Sequence, residues 1–201
     1  MKLAGIILAA GESRRMGFPK ALLKYEGQSF LERLIDVLGR SCDPVITVLG
    51  PESVRIRGGT RNSIRSGFVV NSNYGLGQFS SLQCGLRTVP SFADTVLFTL
   101  VDHPRIAPET IELLIAEPPK PISIARYNGK RGHPVLFDAA LIPEFLAFPP
   151  TASAKEIITK YESSIRYVDA DDPGIVDDID DPAKYKRLTG FDLEAQSEAA
   201  R

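Results

Sequence analysis

Three stretches of this 201-residue chain combine residue types and spacings suited to a phosphorylated ligand. The first is Leu8-Ala9-Ala10-Gly11-Glu12-Ser13-Arg14-Arg15-Met16-Gly17-Phe18-Pro19-Lys20, where an apolar run from Leu3 to Leu8 opens into a loop with two glycines, two arginines and a lysine. A buried strand followed by such a loop is how α/β folds aim backbone N–H groups at phosphate. Gly11 lets the backbone approach a triphosphate closely, and Arg15 and Lys20 bring cationic donors for phosphoryl oxygens. The spacing fits neither of the two common phosphate loops, G-x-x-x-x-G-K-[ST] and G-x-G-x-x-G. A solvated basic surface loop has the same composition; the strand directly ahead of it favours the phosphate role.

The second stretch is Leu100-Val101-Asp102-His103-Pro104. Asp102 ends the apolar run Thr95–Val101, and a carboxylate there is a hard oxygen ligand for Mg²⁺ on a triphosphate. A turn or helix cap is the alternative use of an Asp before His-Pro. The third is Asp177-Asp178-Ile179-Asp180-Asp181-Pro182, in which Asp178 and Asp180 alternate around Ile179 and so project to one side of an extended segment. One of them could complete a Mg²⁺ shell while Asp181 caps a helix, or the segment could be a solvated charge run. Ser81 is a weaker candidate, for the nucleotide or as a helix cap. His103 and His133 are each followed by proline and suit packing or substrate orientation better than zinc or general-base work. No Ser–His–Asp or Cys–His nucleophile pattern is present in the sequence.

Strands alternating with helices must position these groups. The apolar run Lys2–Leu8 reads as a strand buried on both faces, and Val45–Leu49, the short Phe68–Val70 and the nearly all-apolar Thr95–Val101 read as further strands. Ser29-Phe30-Leu31-Glu32 is a capping box, followed at helical spacing by Leu34, Ile35 and Leu38. Further helices are expected over Ser80–Thr88, from Pro108 onward, near Leu141–Leu146, over Ala152–Tyr161 and after Asp181. Asn128-Gly129 between Ile122–Tyr127 and His133–Phe137 signals a hairpin, so antiparallel strands join a parallel sheet before a last strand at Ile165–Val168. Residues 51–67 carry too many Gly, Arg and Ser for assignment. The pattern gives a three-layer α/β/α fold with ligands at the carboxyl ends of the strands, where the loops after strands one and four converge.

Composition narrows the function classes. A net charge of −1 gives no whole-chain basis for nucleic-acid or acidic-membrane binding. Cys42 and Cys84 have no zinc spacing, and with no signal peptide or long apolar run they are expected as reduced thiols of a cytoplasmic protein. Residues 1–190 are expected to form one domain and the polar stretch 191–201 a flexible tail.

The first loop resembles Leu-Ala-Ala-Gly-x3-Arg-Met-Gly-x2-Lys, the signature of the nucleotidyltransferase superfamily. With Asp102, Gly132-His133-Pro134-Val135 and Asp178–Pro182, the chain resembles the MobA-like NTP transferases and, among them, the molybdenum cofactor cytidylyltransferases. That resemblance implies a Rossmann-like fold of the nucleotide-diphospho-sugar transferase kind and Mg²⁺-dependent transfer of CMP from CTP to the phosphate of molybdopterin, releasing pyrophosphate. It implies Arg15, Lys20 and Asp102 as catalytic residues, Asp102 and Asp180 as metal ligands, and Leu8, Ala9, Ala10, Gly11, Lys20 and Ser81 around the nucleotide. Ala10, where guanylyltransferases tend to have glycine, favours CTP over GTP; Gly132–Val135 would face the acceptor. The stretch Pro149-Pro150-Thr151-Ala152-Ser153-Ala154 departs from the family's Gly-Asp segment, and Lys155 stands in for an arginine there. Other expectations therefore stay open: GTP, a sugar- or alcohol-phosphate acceptor, or a non-catalytic maturation factor that hands cofactor to a partner. The product would pass to a molybdoenzyme or its maturation factor, with no part for nucleic acid or membrane.

Overall fold

In β1 (Leu3–Ala9) every residue is buried, with Leu3, Ile7 and Ala9 in one apolar cluster and Ile6 and Leu8 in another. A strand apolar on both sides belongs in the middle of a covered sheet, and β1 lies there. The computed structural model describes residues 1–61 and 65–193. After β1 come a small hairpin, β2 (Lys24–Tyr25) and β3 (Gln28–Ser29), then α1 (Phe30–Leu38), β4 (Val45–Leu49), α2 (Ser53–Gly59) and β5 (Gly67–Val70). The chain continues through α3 (Gln78–Leu86), β6 (Thr95–Leu100), α4 (Pro108–Ile115), β7 (Ile122–Tyr127) and β8 (Lys130–Asp138). It closes with α5 (Ile142–Ala147), α6 (Ala154–Lys160), β9 (Ile165–Asp169) and α7 (Pro182–Thr189).

The main sheet has the order β5-β4-β1-β6-β8-β7-β9. Only β8 runs against its neighbours, antiparallel to both β6 and β7, while β7 pairs in parallel with β9. The expected reversal is thus confined to one strand. Asn128 and Gly129 make the hairpin turn at φ 46 and 77, the left-handed pair that a two-residue hairpin loop requires. One face of the sheet is covered by α1, α2, α4 and α7 through Leu31, Leu34, Ile35, Ile56, Ile111, Leu114 and Tyr185. The other is covered by α3, α5 and α6 through Phe79, Leu82, Leu86, Phe145, Ile157 and Ile158. The three-layer α/β/α architecture is the expected one.

Differences from expectation are local. Residues 51–67 hold α2, a helix anchored by buried Ile56, while 62–64 lie outside the described residues. Helix α3 begins at Gln78 rather than Ser80. Of the expected tail, Leu193 packs half-buried against the first cluster, and 194–201 lie outside the described residues.

Tyr185 is fully buried, and its hydroxyl donates to the Lys24 carbonyl at 2.8 Å, docking α7 against the small hairpin. The α1 capping box forms as expected and does more than end a helix. The Glu32 carboxylate accepts from the amides of Ser29 at 2.7 Å and Arg61 at 2.8 Å, and from Lys24 Nζ at 3.2 Å. Burial alone would raise its pKa, but these donors outweigh burial and hold it at about 2 instead of 4.5. A depressed carboxylate contributes stability that is present above its unfolded pKa and lost as pH falls through the folded one. Glu32→Gln should therefore lose about 1–3 kcal/mol at pH 7, and the gap to wild type should close as pH falls from 4.5 towards 2. Denaturant unfolding at pH 7 and pH ~3 measures both; an equal gap at both would remove this role from Glu32.

Candidate active site

Strands β1 and β6 are parallel neighbours with Leu8 opposite Leu100, so the loops leaving them open at one edge of the sheet. Between those loops lies a cleft of about 500 Å³. Leu8, Ala9, Ala10 and Gly11 line it from the end of β1, Arg15 and Lys20 from the following loop, and Ser81 from α3. Asp102 enters from the end of β6 and Asp180 from the segment before α7. Arg15, Lys20, Ser81, Asp102, Asp180 and the turn from Leu8 to Gly11 are thus in one place, whereas Asp178, the other aspartate that could have completed a metal shell, is not among the lining residues.

The loop after β1 is folded on itself. Ser13 sits at φ 52, a left-handed conformation uncommon for a non-glycine residue. Its carbonyl accepts from Met16 and Gly17 at 2.9 and 3.1 Å, and its hydroxyl accepts from the Lys20 amide at 3.1 Å. Met16 and Phe18 are buried and pin the loop to the first cluster. Arg14 pairs with Glu12 at the surface.

The charges in the cleft are already paired. Lys20 Nζ lies 2.9 Å from Asp102 Oδ2, and the two side chains are only 15% and 19% exposed. Arg15 donates to Asp180 Oδ2 at 2.6 Å. Lys184 Nζ sits 2.8 Å from Asp178 Oδ1 and 3.5 Å from Asp180 Oδ1, so both aspartates face the same lysine, as their alternation around buried Ile179 requires. Burial would raise the Asp180 pKa, but the Arg15 hydrogen bond and the charges of Lys184 and Lys20 lower it below the ordinary value. Asp181 accepts from the Lys184 amide at 2.8 Å and caps α7 as expected.

The donor set fits a divalent cation. Among the described residues Asp102 caps nothing, and its buried Oδ1 has no hydrogen-bond partner. Among the described residues no group of three or more His, Cys, Asp or Glu could hold a metal by itself. Two carboxylates with the rest of the shell left to water and phosphate is the arrangement that suits Mg²⁺. Ser81, expected to open a helix, instead lies within the first turn of α3, and its hydroxyl accepts from Asn71 Nδ2 at 3.0 Å. Gln78 also lines the cleft, and so do Ile56 and Tyr74, which belong to no motif legible in the sequence. Gly75-Leu76-Gly77, ahead of Gln78, was the available signal for that wall.

A second cleft, of about 390 Å³, adjoins the first and shares Leu8 and Gln78 with it. Phe79, Leu82, Phe98, Ile124, Val135 and Ile158 give it apolar walls, and Arg131 and Lys155 are its cations. Gly132, His133 and the departing stretch Ala152–Lys155 line it too. Gly132 is required by close approach: a Cβ there would lie 2.0 Å from the Ile175 carbonyl oxygen. The His133 and His103 rings pack 5.1 Å apart. Burial, then the neighbouring His103, pushes the His133 pKa down to about 3, so its imidazole is neutral at physiological pH. Cys42 and Cys84 are free thiols away from both clefts. No helix among the described residues is long and apolar enough to cross a membrane.

Known proteins share this fold. Residues 5–165 match the model of the MobA-like NTP transferase domain. The chain is 27% identical over 192 residues to the purine catabolism protein PucB of Bacillus subtilis, covering 91% of this chain and 94% of that protein. A probable molybdenum cofactor guanylyltransferase of Mycobacterium avium is 33% identical over 118 residues, 57% of each chain. Among solved structures, Rv0371c of Mycobacterium tuberculosis H37Rv superposes with TM-score 0.77 at 25% identity, over 95% of this chain and 99% of that one. The same protein in complex with manganese gives TM-score 0.74 at 26% identity, over 94% of this chain and 99% of that one.

The Lys20–Asp102 pair makes a testable demand. A cation held by Asp102 would be opposed by the Lys20 charge 2.9 Å from that carboxylate, so Lys20→Met should bind free Mn²⁺ about tenfold more tightly than wild type, the low end of what a neighbouring cation does to a carboxylate's proton affinity. The same variant should bind a nucleoside triphosphate with its cation more weakly. Calorimetric titration reads both, and Mn²⁺ binding that is unchanged or weaker would refute the coupling.

Proposed function

The chain belongs to the MobA-like NTP transferase family, and from that premise we propose that it transfers CMP from CTP to the phosphate of molybdopterin, releasing pyrophosphate. The observation that carries this reading is the convergence of Arg15, Lys20, Asp102 and Asp180 in one cleft beside a second, apolar one. The first cleft would take the nucleotide and the second the acceptor. A phosphate monoester, with its second pKa near ~6, is already mostly dianionic at neutral pH and needs no protein base.

In the reaction an acceptor phosphate oxygen attacks the α-phosphorus in line, and the bond from that phosphorus to the β-phosphate oxygen breaks. The protein's part is positioning and charge neutralisation. Gly11 and the backbone around it hold the triphosphate against the end of β1. Lys20 and Arg15, released from Asp102 and Asp180, meet the charge that builds on the α-phosphate and on departing pyrophosphate. Asp102 and Asp180 would hold a Mg²⁺ ion, which when bound polarises the phosphoryl oxygens. His133, half-buried and neutral at the wall of the second cleft, can orient an acceptor without adding charge. The product would then pass to a molybdoenzyme or its maturation factor.

Ala10, which lines the cleft where guanylyltransferases tend to have glycine, supports CTP. GTP is the second reading, favoured by relatives named as guanylyltransferases. Thermal melting with CTP, GTP, ATP and UTP, each with and without Mg²⁺, separates the two. A nucleotide at 100 times its dissociation constant should add about 2.7 kcal/mol. A Mg²⁺-dependent shift with CTP is expected, and a shift with GTP alone would replace CTP in this reading. Ala10→Gly should move the preference towards GTP. Asp102→Ala should lower pyrophosphate release by about 10²-fold or more; full Mg²⁺-dependent turnover in that variant would defeat the assignment of Asp102.

A further inference from the structure

Asp102 and Asp180 come from loops far apart in the sequence, so something must fix the distance between them. The two loops are joined at several points. The Ile179 amide donates to the Asp102 carbonyl at 2.7 Å. His103 Nδ1 donates to the Gly174 carbonyl at 3.2 Å, and Arg105 pairs with Asp177 at 2.9 Å. Gly174 presses so closely on the first loop that a Cβ would lie 2.5 Å from the Arg105 carbonyl.

At the root of these links is a carboxylate that the chemistry does not use. Asp172 is 7% exposed and lies outside the lining of either cleft. Its Oδ2 accepts from the Ala107 amide at 2.8 Å and from Thr110 Oγ1 at 2.7 Å, and its Oδ1 accepts from the Gly174 amide at 2.8 Å. Ala107 is the N-cap of α4 and has no side-chain cap of its own. Asp172 therefore supplies from a distant segment what the sequence of α4 lacks, and in doing so clamps the acidic segment to the loop that carries Asp102. A buried carboxylate among donors is held strongly, because removing its charge leaves those donors unpaired.

We infer that Asp172 is a positioning residue for the divalent cation, setting the spacing of Asp102 and Asp180 without touching the ion. The inference rests on the reading that those two carboxylates hold a cation. Asp172→Asn keeps the shape of the side chain but sets an amide donor against the donors of Ala107 and Thr110 or of Gly174. The segment then loses its register at Gly174, five residues before the Ile179 link. Thr110→Val removes one donor and leaves Asp172 its two amide partners.

The test measures Mn²⁺ uptake by the whole chain from the loss of the free-ion electron paramagnetic resonance signal. It is run with whichever of α,β-methylene CTP or GTP the wild type binds, alongside each variant's melting temperature. Ser29→Ala, which removes the α1 cap at a residue that lines neither cleft, is the control for stability loss alone. The expected result is Mn²⁺ affinity lowered at least tenfold in Asp172→Asn and about two- to threefold in Thr110→Val, with nucleotide affinity in the absence of metal unchanged. Ser29→Ala should melt earlier and bind Mn²⁺ like wild type. Excess cation should restore kcat in Asp172→Asn. A folded Asp172→Asn with wild-type Mn²⁺ affinity overturns the inference and leaves the proposed function standing. If Asp172→Asn does not fold, wild-type affinity in Thr110→Val overturns it. A wild type that binds the nucleotide analogue but takes up no Mn²⁺ defeats the cation site and this inference together.

Discussion

Two opposite charges that share little water hold each other in place, and Lys20 and Asp102 are such a pair. Removing either alone leaves an uncompensated charge at the end of the central strands. A ligand that replaces both partnerships at once, a polyphosphate for the lysine and a cation for the aspartate, meets no such penalty. Arg15 and Asp180 repeat the arrangement nearer the solvent. The cleft is thus close to neutral before anything binds, which under the proposed function suits a ligand that carries both signs. The rest of the fold serves to keep these four side chains in register.

The sheet does this by geometry. Parallel pairing of β1 with β4 and β6 delivers two loops to one edge, and β1 is apolar throughout because both its faces are covered. Helix α7 brings the third element: buried Tyr185 fixes its axis, and Asp181 fixes its first turn one residue after Asp180. Aspartate thus has a different task at each of several neighbouring positions. Asp172 clamps, Asp177 and Asp178 pair with basic side chains, Asp180 faces the cleft and Asp181 caps.

Those differences mark the limit of what the chain discloses before folding. β1, β4 and β6 were legible because buried strands are continuous apolar runs, and α1 and α7 because their caps are side chains of fixed type at fixed spacing. The loop from Leu8 to Lys20 was legible because glycine and cationic residues after a strand have few other uses. Helix α2 was not, because its Gly-rich, Arg-rich sequence has no helical stripe and its place depends on one buried side chain, Ile56. The start of α3 was misplaced because its N-cap, Gly77, offers no side-chain signal. Asp172 was invisible for a different reason. Its partners Ala107 and Thr110 lie in another part of the chain, and nothing in an acidic run says which member will be buried.

The single reversed strand has a consequence of its own. Since β8 runs against β6, its beginning, with Gly132 and His133, arrives at the sheet edge where the parallel strands end. Two clefts therefore stand side by side on one rim, one floored by a strand's exit and the other walled by a strand's entry. They share Leu8 and Gln78 as walls and both draw on α3 and β6, but only the second takes in the β8 strand's beginning and the stretch Ala152–Lys155. Descent with modification can then retune the hairpin and the stretch before α6 for a new second ligand while the first cleft keeps its wording, a modular grammar in which one strand's direction separates the clauses.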